Sequence, residues 1–351
     1  MDRESLEEKV RSGEVVADLD CGGLDLAGAV LDGGVFENVR FDGAVLVGAK
    51  LRESIFTGCS FEGANLSTAR LGYAALHRCS LTRAAVRDAD LSRAAFNQTN
   101  MERAVFDGAM LAHTAFAGCR AFRSSFAGST FDAAFFHETD LDHADFRGAV
   151  LERTTLYQLD LRSIELGSTR FVATNLIECD LSDHQLDGID LGRCQLMGSK
   201  LGGVSLRDAN LSQTGFKGAS LAGAALDGAR VTHTMFVEAD LAGASLANVV
   251  GVGALFVEAN LRGASLVGAR LEAPIFQRAI AEHARFDGAH LEYADFTGAR
   301  IEGARFDRAN LSRAKFHRAL GVEPAARARA LPRDEPLLRA ETFCSTERTP
   351  S

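Results

Sequence analysis

A five-residue register governs this chain. In GANLSTARLGYAALHRCSL, residues 63–81, Leu66, Leu71, Leu76 and Leu81 recur every five residues, and Ala64, Ala69, Ala74 and Cys79 each stand two residues earlier. An α-helix repeats its faces every 3.6 residues and a strand every two, so neither accounts for five. With the central apolar position called i, the register runs from Leu26 to Phe316, 59 pentads without insertion or deletion. Only Ala121, Gly251 and Ala281 replace a large apolar residue at i, and 50 of the 59 residues at i−2 are Ala, Cys, Ser, Thr or Gly. Glycine collects at i+2, as at Gly43, Gly48, Gly58, Gly63 and Gly108.

A chain that turns a corner after every pentad needs this spacing. Residue i points inward from the middle of a short side, i−2 points inward near the corner where only a small group fits, and the rest face water. A second period gives the number of sides. Positions 36, 56, 96, 116, 136, 216, 236, 256, 276, 296 and 316 are all Phe, with Leu at 76, 156, 176 and 196; the lane of 31, 51, 71, 91 and 111 is Leu. Twenty residues therefore make one coil of four sides, with like side chains stacked from coil to coil. So short a coil must bond its backbone to the coils on either side. The expectation is about fifteen coils and a rod of roughly 70 Å at the spacing of paired strands.

These residues resemble the pentapeptide-repeat family, whose A(D/N)LXX motif is matched by ADLSR (89–93), TNMER (99–103), ADLAG (239–243), ANLRG (259–263) and ANLSR (309–313). The resemblance covers about residues 21–320 and implies an all-β fold, a right-handed quadrilateral β-helix. It brings no catalytic residue with it. Members of the family it resembles include DNA-mimicking protectors of type II topoisomerases, secreted bacterial effectors and modules attached to secretion-associated proteins.

The ends depart from the repeat. Residues 1–20 are expected to form an N-terminal cap, with DRESLEEKVRS (2–12) as a short helix turning Leu6 and Val10 inward and stopped by Gly13, and with VVADL (15–19) feeding the first coil. The β-helix is expected over 21–320. Residues 321–351 lose the register and hold four of the five Pro, so they read as a cap and flexible tail, with a short helix over 325–330 and Leu331, Leu337 and Leu338 available to cover the last coil. This short apolar patch favours a monomer; self-association through LLRAETF is the alternative.

No run of eighteen apolar residues exists, and the charged N-terminus lacks the apolar core of a secretory signal. Seven Cys without a CxxC pair show no disulfide framework. A reduced cytoplasmic compartment is the expectation, with signal-free export left open. Two interior spots stand out: LANVVGVGALF (246–256) places Gly251 at a centre and Val249 at a corner, and Pro274 at i−2 is expected to delete a coil-to-coil bond.

Little here suggests chemistry. Cys59, Cys79, Cys119, Cys179 and Cys194 occupy small corner positions. Eight His map outward on scattered coils, and His184, at i−2, is expected to point inward. There is no GxSxG, GxxxxGK[ST] or HExxH motif, and the glycines serve corners. The reading is a non-enzyme without cofactor or metal.

Charge is uneven. Residues 132–190 hold 13 acidic and 4 basic residues, a balance of −9, whereas 21–131 sum to +1 and 191–320 to +3. Within that band Asp140, Asp160 and Asp180 are twenty apart, an expected outward carboxylate ladder with Asp142 and Asp183 beside it. Like charges so stacked repel, so a docking surface for a basic partner, or a duplex mimic bound by topoisomerase, is one reading. Phosphate-like charge would have to run along a long face, and Arg78, Arg83, Arg87, Arg93 and Arg103 give the N-terminal half the opposite sign. Those arginines lack an aromatic platform, so direct nucleic-acid binding is not expected. The second feature is apolar: Met235, Val237, Leu255, Val257 and Ile275 flank Phe236, Phe256 and Phe276 and should line up outward across three coils, with Ile177 and Met197 in the same lane. The functional expectation is a non-enzymatic scaffold that binds an unidentified protein through this band, with topoisomerase binding and a secretion-associated role as alternatives.

Overall fold

The computed structural model describes residues 2–322 and Ala326. The tail helix over 325–330 and the capping leucines Leu331, Leu337 and Leu338 otherwise lie outside the described residues. Two compact units divide the chain between Asn175 and Leu176. Each is built of the same coil, and the fold is a right-handed β-helix with a short N-terminal helix.

In the first unit, α1 (Arg3–Arg11) leads into β1 (Val15–Ala17). One side of the solenoid is a parallel sheet of β1, β2 (Val35–Glu37), β3 (Ile55–Thr57), β4 (Ala75–His77), β5 (Ala95–Asn97), β6 (Ala115–Ala117), β8 (Phe135–His137) and β10 (Thr155–Tyr157), in that order. A second side pairs β7 (Thr130–Asp132), β9 (Val150–Glu152) and β11 (Arg170–Val172). β12 (Asn175–Ile177) lies at the division, and β13 (Val250–Val252) pairs with β14 (Arg270–Glu272) in the second unit. Every pairing joins residues twenty apart. Val16 faces Phe36, and single bridges such as Asp20 to Arg40, Asp25 to Val45 and Val30 to Lys50 supply the other three sides. VVADL (15–19) feeds the first coil: β1, within residues 1–20, already pairs with β2.

The coil satisfies its backbone residue by residue. In ANLST (64–68) the N–H of Ala64 closes a turn on Phe61 O (3.0 Å), Asn65 bonds to Ala44 O one coil back (2.9 Å), and Leu66 and Thr68 bond forward to Ala85 O and Arg87 O (2.6 and 2.7 Å). The fifth N–H, of Ser67, is taken by the side chain of Asn65 at 3.1 Å. ADLAG (239–243) repeats the scheme in the second unit, with the Ala242 N–H on Asp240 Oδ1 at 3.1 Å. The D/N of the motif is thus a backbone acceptor at a corner. Residue i+2 closes the corner in the left-handed region, with φ of 58° at Thr68 and 65° at Gly243, which is why glycine gathers there.

Large side chains at i fill the interior, and the Phe lane stacks face to face. Phe216, Phe236, Phe256, Phe276, Phe296 and Phe316 follow one another at 4.7–5.2 Å between ring centres. Small polar residues at i−2 are buried because they reach a carbonyl of the previous coil: Ser54 Oγ donates to Leu31 O (2.8 Å) and Thr114 Oγ1 to Leu91 O (2.9 Å). The same geometry shows that Pro274 deletes no coil-to-coil bond. The N–H at i−2 serves the turn within a coil, while Ile275 N and Pro274 O keep their bonds to Ala254 O and Asp295 N.

The N-terminal helix covers the first coil. Asp2 caps it by accepting the Ser5 N–H at 2.9 Å, and Leu6 is buried while Val10 is partly exposed. Arg3 donates to Ala27 O and Gly28 O, and Glu7 Oε1 accepts the Val30 N–H at 3.0 Å. Elsewhere that N–H bonds to the preceding coil; at the first coil Glu7 replaces it.

Candidate interaction surfaces

The apolar residues of the Phe-centred side come together as expected. Met235, Leu255 and Ile275 are bridged in sequence, one per coil, in a half-exposed column on one edge of the side. Val237 and Val257 form the parallel column on the other edge, also half-exposed. Backbone bonds at 2.7 Å from Phe236 to Leu255 and from Phe256 to Ile275 fix the spacing between columns and coils. In the same lane Ile177 is half-buried and Met197 exposed. The patch is bounded by Lys217 on one flank and by the Gln277–Asp295 hydrogen bond (2.9 Å) on the other.

The acidic residues have local work. Asp140, Asp160 and Asp180 each accept the N–H two residues on, at 3.0, 3.1 and 3.1 Å, so each is a corner acceptor of the kind described above. Asp160 also pairs with Arg162 at 2.6 Å and Asp180 with Lys200 at 3.6 Å. Beside them Asp132 pairs with Arg153 and Asp145 with Arg147. Hydrogen bonds from those guanidinium groups hold the carboxyls of Asp132 and Asp145 below their ordinary range. Asp140 and Asp160 belong to the first unit and Asp180 to the second. Counting charges along the sequence does not reveal the hydrogen bond that each Asp makes to its own corner.

The corner cysteines are buried, and Cys59, Cys79 and Cys119 place Sγ 3.4–3.5 Å from the carbonyl oxygens of Phe36, Phe56 and Phe96, the positions that Ser and Thr occupy elsewhere. Burial pushes the Cys119 thiol up to about 11. His184 is half-exposed instead of interior. Among the described residues no group of His, Cys, Asp and Glu is placed to hold a metal ion, and no helix is long and apolar enough to cross a membrane.

One feature is only half visible in the sequence. Gly251 leaves the centre of its side without a side chain, and its backbone lies so close to the preceding coil that a Cβ there would stand 2.7 Å from the carbonyl carbon of Val231. A groove of about 460 Å³ results, walled by Arg230, Val250, Arg270 and His290 on one edge and Thr232, Val252, Glu272 and Glu292 on the other.

The pentapeptide-repeat family model matches residues 20–58, 46–83, 59–98, 87–120, 122–158, 194–232, 234–272, 264–308 and 290–319. The unmatched stretch between 158 and 194 is where Leu159, Ile164, His184 and Ile189 occupy corners that elsewhere take small residues. No curated protein matches the chain. Among solved structures, HetL, a pentapeptide repeat protein involved in heterocyst differentiation regulation from the cyanobacterium Nostoc sp. strain PCC 7120, is 22% identical over 90% of this chain and 96% of its own, with a TM-score of 0.19. QnrB1, a plasmid-mediated fluoroquinolone resistance protein, is 16% identical over 67% of this chain and 98% of its own, with a TM-score of 0.24. A pentapeptide repeat protein from the Arabidopsis thaliana thylakoid lumen is 27% identical over 42% and 72%, with a TM-score of 0.12. The five-residue register, the corner acceptors and the family match together place this chain in the pentapeptide-repeat family.

Proposed function

We propose that the protein is a non-enzymatic scaffold that binds a protein partner through the apolar face formed by Met235, Val237, Leu255, Val257 and Ile275. The observation that carries this reading is the alignment of five half-exposed apolar side chains on adjacent coils that are joined by backbone hydrogen bonds. Contiguous apolar surface on a rigid face loses little conformational entropy on binding and gains from removal from water. Replacing Val237 and Val257 by Lys places two charges in the patch without touching the interior. Circular dichroism should be unchanged, and the protein captured by the wild-type chain should be lost from the double variant. Equal capture by both would remove this face from consideration.

A topoisomerase-binding role for the acidic band has less support, because Asp160 and Asp180 are engaged with Arg162 and Lys200. Its test is a supercoiling assay with Asp140, Asp160 and Asp180 changed to Asn. Asn also accepts the corner N–H, so loss of an effect would report on charge alone.

A further inference from the structure

The groove at Gly251 lies on a different side of the second unit from the apolar face, and its two walls are related in an unusual way. Along this side, successive rungs present the pairs Asn210 and Ser212, Arg230 and Thr232, Val250 and Val252, Arg270 and Glu272, His290 and Glu292, and Asn310 and Ser312. Bridges join the left-hand members, Asn210 to Arg230, Arg230 to Val250, Val250 to Arg270, Arg270 to His290 and His290 to Asn310, so both columns are continuous. Val250 and Val252 are 37% and 43% exposed at the middle of the side. Arg230, Arg270 and Glu272 are exposed, and among the described residues none of them lies within ion-pair distance of an opposite charge, although most coils tie such groups together.

We infer that this face binds a second copy of the same chain, about a two-fold axis parallel to the solenoid axis of the second unit. Such an axis, centred on the side, keeps each rung level with its own counterpart and exchanges the columns. Arg270 then meets Glu272 of the second copy, His290 meets Glu292, Arg230 meets Thr232, and Val250 meets Val252, each contact formed twice. No rung opposes like charges, and the apolar rung meets itself, as an isologous interface requires. The groove gives the long Arg and Glu side chains room to cross. A two-fold axis across the side, centred on the Val250 rung, instead sets Arg230 against Arg270, so the charges select the parallel arrangement. This property is not general to the repeat: on the corresponding side of the first unit, Lys50 and Arg52 share a rung and would oppose like charges.

Sedimentation on the full chain tests the inference. Wild type should form a dimer. Arg270→Glu and Glu272→Arg should each weaken it by about tenfold or more, since each sets like charges opposite one another twice. The double exchange Arg270→Glu/Glu272→Arg should restore it. An equimolar mixture of the two single variants should form a heterodimer that neither forms alone. Both sites of change are on the surface, and circular dichroism checks that each variant is folded. A wild type that stays monomeric at its highest soluble concentration overturns the inference, as does a dimer indifferent to both single changes or not restored by the exchange. Loss of dimer in Val237→Lys/Val257→Lys, with Arg270→Glu silent, would move self-association to the apolar face.

Discussion

Gly251 sits so close to Val231 that a Cβ on the glycine would fall 2.7 Å from the carbonyl carbon and 2.8 Å from the nitrogen of Thr232. The repeat asks for Leu at this position, and the packing refuses it. Gly251→Leu should therefore destabilise the protein, by about 1–3 kcal/mol for an overpacked site, although it brings the sequence closer to the repeat. Chemical denaturation with an unchanged slope would measure it; a stabilised variant would mean that the coils part without cost.

Corner glycines should behave differently. At Gly63, φ is 64° and a Cβ added there would meet nothing within 4 Å, so Gly63→Ala faces only the left-handed backbone. The expected loss is about 1 kcal/mol. Thermal denaturation of this variant beside Gly251→Leu separates backbone strain from collision.

The corner acceptor is the next test. Asp240 receives the Ala242 N–H at 3.1 Å and a hydrogen bond from Asn260 at 2.8 Å. Asp240→Asn should leave stability nearly unchanged, because an amide oxygen still accepts the N–H. Asp240→Ala should cost about 1 kcal/mol or more. Equal losses in the two variants would show that charge, and not acceptance, matters at this corner.

Acid should weaken the fold in a defined window. The Arg147 hydrogen bond holds the Asp145 carboxyl below its ordinary value of 3.8, and that from Arg262 holds Glu282 below 4.5. Because the folded values lie below the unfolded ones, the stability these groups contribute is complete above the unfolded values and is lost as pH falls through the folded ones. Melting temperature should be level above about pH 5 and fall in more acidic buffer. Arg147→Gln should melt below wild type at neutral pH, and the gap should close as Asp145 protonates. A gap that persists at low pH would assign the loss to packing.

Much of the fold is legible in the sequence because size repeats. A Phe every twenty residues and a small residue two before each centre say where the interior is and how many sides surround it. Polar residues are harder to place, since a carboxylate has the same symbol whether it faces water or its own backbone. Asp160 reads as surface charge, yet it caps a corner and holds Arg162. Glu7 reads as one more acid of a charged helix, yet it fills the bonding position of a missing coil. Leu166 stands at a centre but is half-exposed; Ile164, at the corner before it, is buried there instead. The close approach of Gly251 to Val231 depends on how two neighbouring coils pack where a side chain is absent, which no single position records.

The coil-to-coil bonding also has a mechanical meaning. Leu66 and Thr68 hold the coil ahead while Asn65 holds the one behind, so three of the five N–H groups in this pentad tie the coil to its neighbours. A load along the solenoid axis of either unit is shared among the bonds around each coil, which act in parallel. A load that lifts the N-terminal end sideways meets one corner at a time, and α1 guards that end. Such a unit resists stretching but peels from its edge like tape, and at the N-terminal edge the Arg3 and Glu7 contacts are the first to be broken.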